Sequence, residues 1–108
     1  MNQRELDVLK ILWEHNVPMM ATDIVNAGEG LTQSTVTAVL RKLLREKLVE
    51  VAGVTHSGKV LSRTYRTTPA ARQAALEYFT EIYRQFRNVV TPEELLEAIK
   101  EGRDTANE

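Results

Sequence analysis

Apolar residues recur along this chain with two periods, and the changes of period mark out its elements. Leu6, Leu9, Leu12 and Trp13 share one helical face behind Asn2 and Glu5, which have the N-cap and N3 chemistry of a capped start. The spacing predicts a first helix through about His15. Pro18 disfavours helical backbone at Val17, so residues 17–20 are expected as an extended link or a very short strand. Thr22 is the expected cap of a short second helix holding Ile24 and Val25, ended by the turn at Ala27-Gly28-Glu29-Gly30. Residues 31–51 read as one amphipathic helix capped by Thr32. In it Val36, Val39, Leu40, Leu43 and Leu44 fall at i, i+3, i+4, i+7 and i+8. Toward the end of that stretch the period shortens. Leu48-Val49-Glu50-Val51 is β-prone, residues 53–59 are turn-rich, and residues 60–67 return to β-branched and aromatic side chains, which predicts a two-stranded hairpin.

A second helical pattern follows. Thr68-Pro69 places a capping hydroxyl before a proline at the first helical position. Ala71, Ala75, Tyr78, Phe79, Ile82 and Phe86 form the stripe of this fourth helix, widened by Leu76 and Tyr83. Thr91-Pro92-Glu93-Glu94 is a capping box opening a last helix, with Leu95, Leu96 and Ile99 inside and Gly102 as its expected end. Residues 103–108 are polar and expected to fray. The apolar arc of these two helices exceeds what one face of a small domain needs to cover. Tyr78, Phe79, Ile82, Phe86, Leu95, Leu96 and Ile99 are therefore the candidate dimer seam. The expected fold is mainly α: a winged helix-turn-helix of three helices and a two-stranded wing over residues 1–68, then two dimerisation helices over residues 69–108.

A chain of 108 residues buries a modest core and gains from dimerisation. No apolar run approaches the roughly 18 residues needed to cross a bilayer, and no basic-then-apolar export signal is evident. A cytoplasmic location without membrane partners is expected. The absence of cysteine removes disulfides and thiolate metal sites, and His15 and His56 stand on different elements, so no metal or other cofactor is expected. The net charge of −1 argues against a nucleic-acid partner, but its distribution reverses the argument. Residues 32–66 carry +5, between flanks of −3 each.

The basic third contains the third helix, whose polar side is graded. Its first turns carry small hydrogen-bonding residues and its later turns Arg and Lys. Short side chains let a helix approach base edges, and cations take phosphates. Gln33, Ser34, Thr35, Thr37 and Ala38 are the candidate base-facing residues. Thr32, Arg41, Lys42 and Arg45, with Lys59 and Arg63 of the hairpin, are the candidate phosphate contacts. The run Gly53-Val54-Thr55-His56-Ser57-Gly58-Lys59-Val60 mimics a phosphate-binding loop until Val60, which replaces the required hydroxyl, and a strand follows where that motif needs a helix. No catalytic constellation can be assembled, so an enzyme is disfavoured.

Several of these residues together resemble the penicillinase-repressor (BlaI/MecI/CopY) family. They are Leu9-Lys10-Ile11-Leu12-Trp13, Thr22-Asp23-Ile24-Val25, Leu31-Thr32, Thr35-Val36-Thr37, Leu40-Arg41-Lys42-Leu43 and Lys47-Leu48-Val49. The resemblance covers about residues 3–67, and the last two helices in layout only. It implies a homodimeric repressor on a (pseudo)palindromic double-stranded operator, with residues 33–38 toward the bases and Lys42 at a customarily basic position. Ala38 stands where a hydroxyl is common, which bears on base preference. The Asn-Phe pair of the proteolytically induced members is absent, as are the cysteines of the copper-responsive ones. Two other readings remain: a winged helix that binds protein instead of DNA, favoured by the acidic flanks, and a small-molecule-sensing regulator of the multidrug type.

Overall fold

The computed structural model describes the backbone of residues 1–106 and the side chains of residues 1–102. Helix α1 (Gln3–His15) opens on a complete capping box: Glu5 N–H donates to Asn2 Oδ1 at 2.9 Å, and Asn2 N–H donates to Glu5 Oε2 at 2.5 Å. It stops at Asn16, whose φ of 52° is left-handed, a conformation asparagine tolerates. Beyond Pro18, Met19 pairs with Tyr65 through two backbone hydrogen bonds of 3.0 and 2.8 Å, which is the short strand expected there.

That pairing holds the chain extended through Met20, and so moves the start of the next helix. Helix α2 (Ala21–Ala27) is capped at Met20, whose N–H donates to Asp23 Oδ2 at 3.0 Å. Thr22, the expected cap, lies inside the first turn because Asp23 one turn on already satisfies the orphan amide. Gly28 ends the helix where space is short: a Cβ there would lie 2.4 Å from Leu31 Cδ1 and 3.1 Å from Ile11 Cδ1.

Helix α3 (Gln33–Arg45) begins on Thr32 as expected, the cap hydroxyl accepting the Thr35 N–H at 3.2 Å. It ends well short of Val51. Lys47 turns left-handed at φ 62°, its N–H donates to the Leu44 carbonyl at 3.0 Å, and the Leu48 N–H donates to the Leu43 carbonyl at 2.9 Å. This Schellman closure folds Leu48 back onto Leu43 in the core, and the β-prone residues leave as strand β1 (Val49–Ser57). Strand β2 (Val60–Thr67) returns antiparallel. Ser57 pairs with Val60, so the turn is only Gly58 and Lys59, with Gly58 at φ 67°. The glycine-rich stretch from 53 is therefore strand and not turn. Gly53 sits at a bulge: Val51 pairs with Tyr65 and Gly53 with Thr64, leaving Ala52 as the extra residue.

Helix α4 (Pro69–Arg84) opens on Pro69. The Thr68 hydroxyl before it donates to the Lys47 carbonyl at 2.7 Å, tying this start to the turn after α3. The chain divides into two compact units, Met1–Leu76 and Glu77–Glu108, and the division falls inside α4. In the first unit Val8, Leu9, Ile24, Val36, Leu43 and Val49 are essentially unexposed and, with Leu12, Met19, Leu31, Leu40 and Leu48, form one core that Ala71 of α4 joins. Each fully buried Leu or Ile in such a core contributes about 1.5–3 kcal/mol of transfer free energy.

In the second unit α4 ends at Arg84, so Phe86 lies in the following turn and not on the helix stripe. The Tyr83 hydroxyl donates to the Val90 carbonyl at 2.6 Å across that turn. Helix α5 (Pro92–Ala106) has its expected box, with Glu94 N–H to Thr91 Oγ1 at 3.1 Å and Thr91 N–H to Glu94 Oε1 at 3.2 Å. It runs through Gly102, whose place in a continuing helix costs only about 1 kcal/mol relative to alanine. Of the segment expected to fray, residues 103–106 are helical, and Asn107 and Glu108 lie outside the described residues.

Candidate nucleic-acid interface

The apolar stripe of α3 is buried as its spacing requires, Val36, Val39, Leu40 and Leu43 fully and Leu44 in part, so its opposite side must face solvent. Gln33, Ser34, Thr37, Ala38, Arg41 and Arg45 are exposed, and Thr35 is half-buried. Thr32 is engaged locally: its hydroxyl donates to Thr35 Oγ1 at 2.9 Å and lies 3.3 Å from Ser34 Oγ. Three hydroxyls thus cluster at the start of the helix. Helices α1, α2 and α5 place an acid in their first turn, whereas α3 places none, so the partial positive charge of its N-terminus is not offset by its own side chains.

The hairpin brings a second cation to this surface. A groove of about 210 Å³ is lined by Thr37, Leu40, Arg41 and Leu44 of α3, Ala21 of α2, and Arg63 and Tyr65 of β2. Arg63 and Tyr65 lie two residues apart on one strand and so share a face. Leu61 continues that face toward the tip, with Val54 and His56 as the cross-strand partners of Arg63 and Leu61. Arg41 and Arg63, far apart in sequence, therefore flank one concavity. Lys59 stands apart, in the turn at the tip.

The structure also divides the basic residues of the central third. Arg66 pairs with Glu50 at 2.8 Å, and Lys42 Nζ lies 2.7 Å from Glu5 Oε1. Among the described residues Arg41, Arg45, Lys47, Lys59 and Arg63 have no ion-pair partner. Those five are the cations available to an external anion.

Capping chemistry in the sequence gives Glu5 its place at the start of α1, but not its burial or its pairing with Lys42. The Glu5 side chain is 1% exposed, and its Oε1 accepts no hydrogen bond of regular geometry among the described residues, its close contact being the Lys42 ammonium at 2.7 Å. Burial alone would raise its carboxyl pKa. The Lys42 contact and the Asn2 N–H outweigh that, and the net shift is downward. Lys42 is correspondingly raised, by its close contact with the Glu5 oxygen and by the charge of that carboxylate. The signal was present in the sequence, since Glu5 falls on the same helical stripe as Val8, Leu9 and Leu12 and so had to be buried with them.

In the second unit Tyr78 is half-buried and Phe79, Ile82, Phe86, Leu95, Leu96 and Ile99 are exposed. The rings of Tyr78 and Phe79 lie 5.9 Å apart at 60°. Val89, 77% exposed, joins this apolar surface and was missed because it sits in the turn and not on a helix period.

Three helices followed by a β-hairpin, with the third helix and the hairpin sharing one polar, cationic side, define a winged-helix fold. No protein-family model matches the chain, and no curated protein matches its sequence. Solved structures do match its shape. A PadR-family transcription regulator from Clostridium difficile superposes with a TM-score of 0.59 at 16% identity, over 82% of this chain and 94% of that one. A variant of MepR from multidrug-resistant S. aureus gives 0.61 at 19% identity, over 99% and 78%. The transcriptional regulator BldR from Sulfolobus solfataricus gives 0.54 at 24% identity, over 97% and 75%. At these identities the likeness is one of fold, the winged helix. Among the described residues no helix is long and apolar enough to cross a membrane.

Proposed function

We propose that the chain is a DNA-binding transcriptional repressor that acts as a homodimer on a (pseudo)palindromic operator, related to the penicillinase-repressor family by the residues of its first three helices. The observation that carries this reading is the groove flanked by Arg41 and Arg63 beside the exposed start of α3. A helix entering a major groove by its N-terminal end would bring Gln33, Ser34, Thr35 and Thr37 to base edges, with Ala38 offering a methyl contact. Arg41, Arg45, Arg63 and Lys59 would then meet phosphates on either side. Thr32 serves first as the helix cap and is a phosphate contact second. The dimer reading is supported by the apolar surface of the second unit, and repression by the family resemblance.

The test is a titration of Thr37→Ala and Arg41→Ala against two duplexes: one that the wild-type protein enriches from a randomised pool, and a shuffled duplex of the same composition. Thr37→Ala should lose about 1–3 kcal/mol on the enriched duplex and little on the shuffled one, the behaviour of a base contact. Arg41→Ala should weaken both and reduce the slope of log affinity against log salt by about one, the behaviour of a phosphate contact. Equal losses for the two variants on both duplexes would remove the assignment of sequence readout to α3.

A further inference from the structure

We infer that Glu5 and Lys42 are positioning residues for base readout: the pair fixes the setting of α3 against α1, and Lys42 touches no phosphate. The inference rests on the DNA-binding reading above and sharpens it at one residue. Lys42 is the basic residue on the flank of the recognition surface that sequence alone assigns to DNA, and its ammonium instead meets a carboxylate that is 1% exposed. That carboxylate cannot follow a moving partner. Its other oxygen accepts the Asn2 N–H in the capping box, so it is fixed to the first turn of α1. The 2.7 Å contact therefore places a point on α3 relative to the axis of α1.

The geometry makes this point sensitive. Lys42 lies seven residues, two helical turns, beyond Thr35 and so on the same side of α3. A helix with side chains is about 10–12 Å across, so a rotation of about 20° carries a side-chain tip by about 2 Å, more than the span of usable hydrogen-bond lengths. The apolar stripe alone is a weak guard against such rotation, because neighbouring aliphatic side chains can slide where a short charged contact cannot. Transferring Lys42 to a phosphate would leave the Glu5 carboxylate buried and uncompensated, so the two roles exclude each other.

Glu5→Gln, Lys42→Met and Lys42→Arg are titrated on the enriched and shuffled duplexes across a salt series, at a temperature where circular dichroism shows each variant fully folded. Glu5→Gln and Lys42→Met should each lose about tenfold on the enriched duplex, the size of one displaced base contact. Neither should lose much on the shuffled duplex, the salt slope should stay that of wild type, and Lys42→Arg should restore binding. If Lys42→Met weakens both duplexes and flattens the slope by about one while Glu5→Gln does not, Lys42 is a phosphate contact and the inference is wrong. Unchanged affinity in both variants would reduce the pair to a stability element and equally overturn it. A wild-type protein that enriches no duplex would refute the DNA reading itself. The positioning claim is then decided by the amide spectrum of Glu5→Gln: shifts spread along residues 33–45 support it, and shifts confined to the neighbours of residues 5 and 42 contradict it.

Discussion

The two units of this chain treat their apolar residues in opposite ways. In residues 1–76 the aliphatic side chains of α1, α2, α3 and the start of β1 close on one another, and Leu9, Ile24 and Leu43 are wholly removed from solvent. In residues 77–102 no described side chain is buried, although Phe79, Ile82, Val89, Leu96 and Ile99 are as apolar as anything in the core. Local order in that second unit comes from polar devices, the Thr91–Glu94 box and the Tyr83 hydroxyl on Val90. Such devices fix a turn and a helix start, but they contribute about 1 kcal/mol each and do not hide hydrocarbon. The first unit thus satisfies itself, and the second leaves open the apolar surface on which the proposed homodimer rests.

The contrast can be broken from either side. Ile82→Glu would place a charge in the seam of a dimer, so sedimentation should shift from dimer to monomer while the unfolding transition of the first unit, followed through Trp13, stays near its wild-type position. Leu43→Ala should do the reverse, costing about 2–5 kcal/mol through the cavity it leaves. The Trp13 transition should fall while the surviving folded protein remains dimeric. A wild-type monomer at micromolar concentration would end the second half of the comparison.

A smaller effect sharpens the first half. Because the folded-state pKa of Glu5 is lowered, the folded protein binds its proton less readily than the unfolded chain does. The stability this carboxylate contributes is present above the unfolded carboxyl range, about 4.3, and is lost as pH falls through the folded value. The raised pKa of Lys42 acts at the other end: its contribution is present below about 10.4 and is lost as pH rises through its folded value. Between the two ranges this contribution is flat. Melting temperatures measured from pH 7 to pH 3 should fall more steeply for wild type than for Glu5→Gln, which is less stable at pH 7 and converges with wild type in acid. Parallel curves would show that the pair is not linked to folding.

The smallest effect concerns the turn that ends α3. Lys47 occupies a left-handed position that glycine fills without strain, so Lys47→Gly should raise the stability of the first unit by up to about 1 kcal/mol. A loss of stability there would mean that the lysine side chain contributes more than its backbone costs.

Sequence made the fold legible where side-chain period and capping chemistry agree. The Asn2–Glu5, Thr32 and Thr91–Glu94 starts and the stripe from Val36 to Leu43 all stand where the pattern placed them. It misled where a partner distant in sequence decides the local outcome. Met19 pairing with Tyr65 shifts the cap of α2 from Thr22 to Met20. The end of α3 was misplaced because a lysine, and not a glycine, makes the left-handed turn. At the candidate interface, exposure of Ser34, Thr37, Ala38 and Arg41 follows from the helical period alone. The meeting of Arg41 with Arg63 and the pairing of Lys42 with Glu5 depend on tertiary neighbours that no local pattern encodes.

The central claim is that the cationic groove of one unit meets DNA while the open apolar surface of the other brings two such grooves together. Nuclease footprinting of the wild-type protein on its enriched duplex tests both parts at once. Protection should cover two inverted half-sites whose centres lie about one helical turn, or a whole multiple of it, apart. Protection of a single half-site, or no protected sequence at any concentration, would contradict the account.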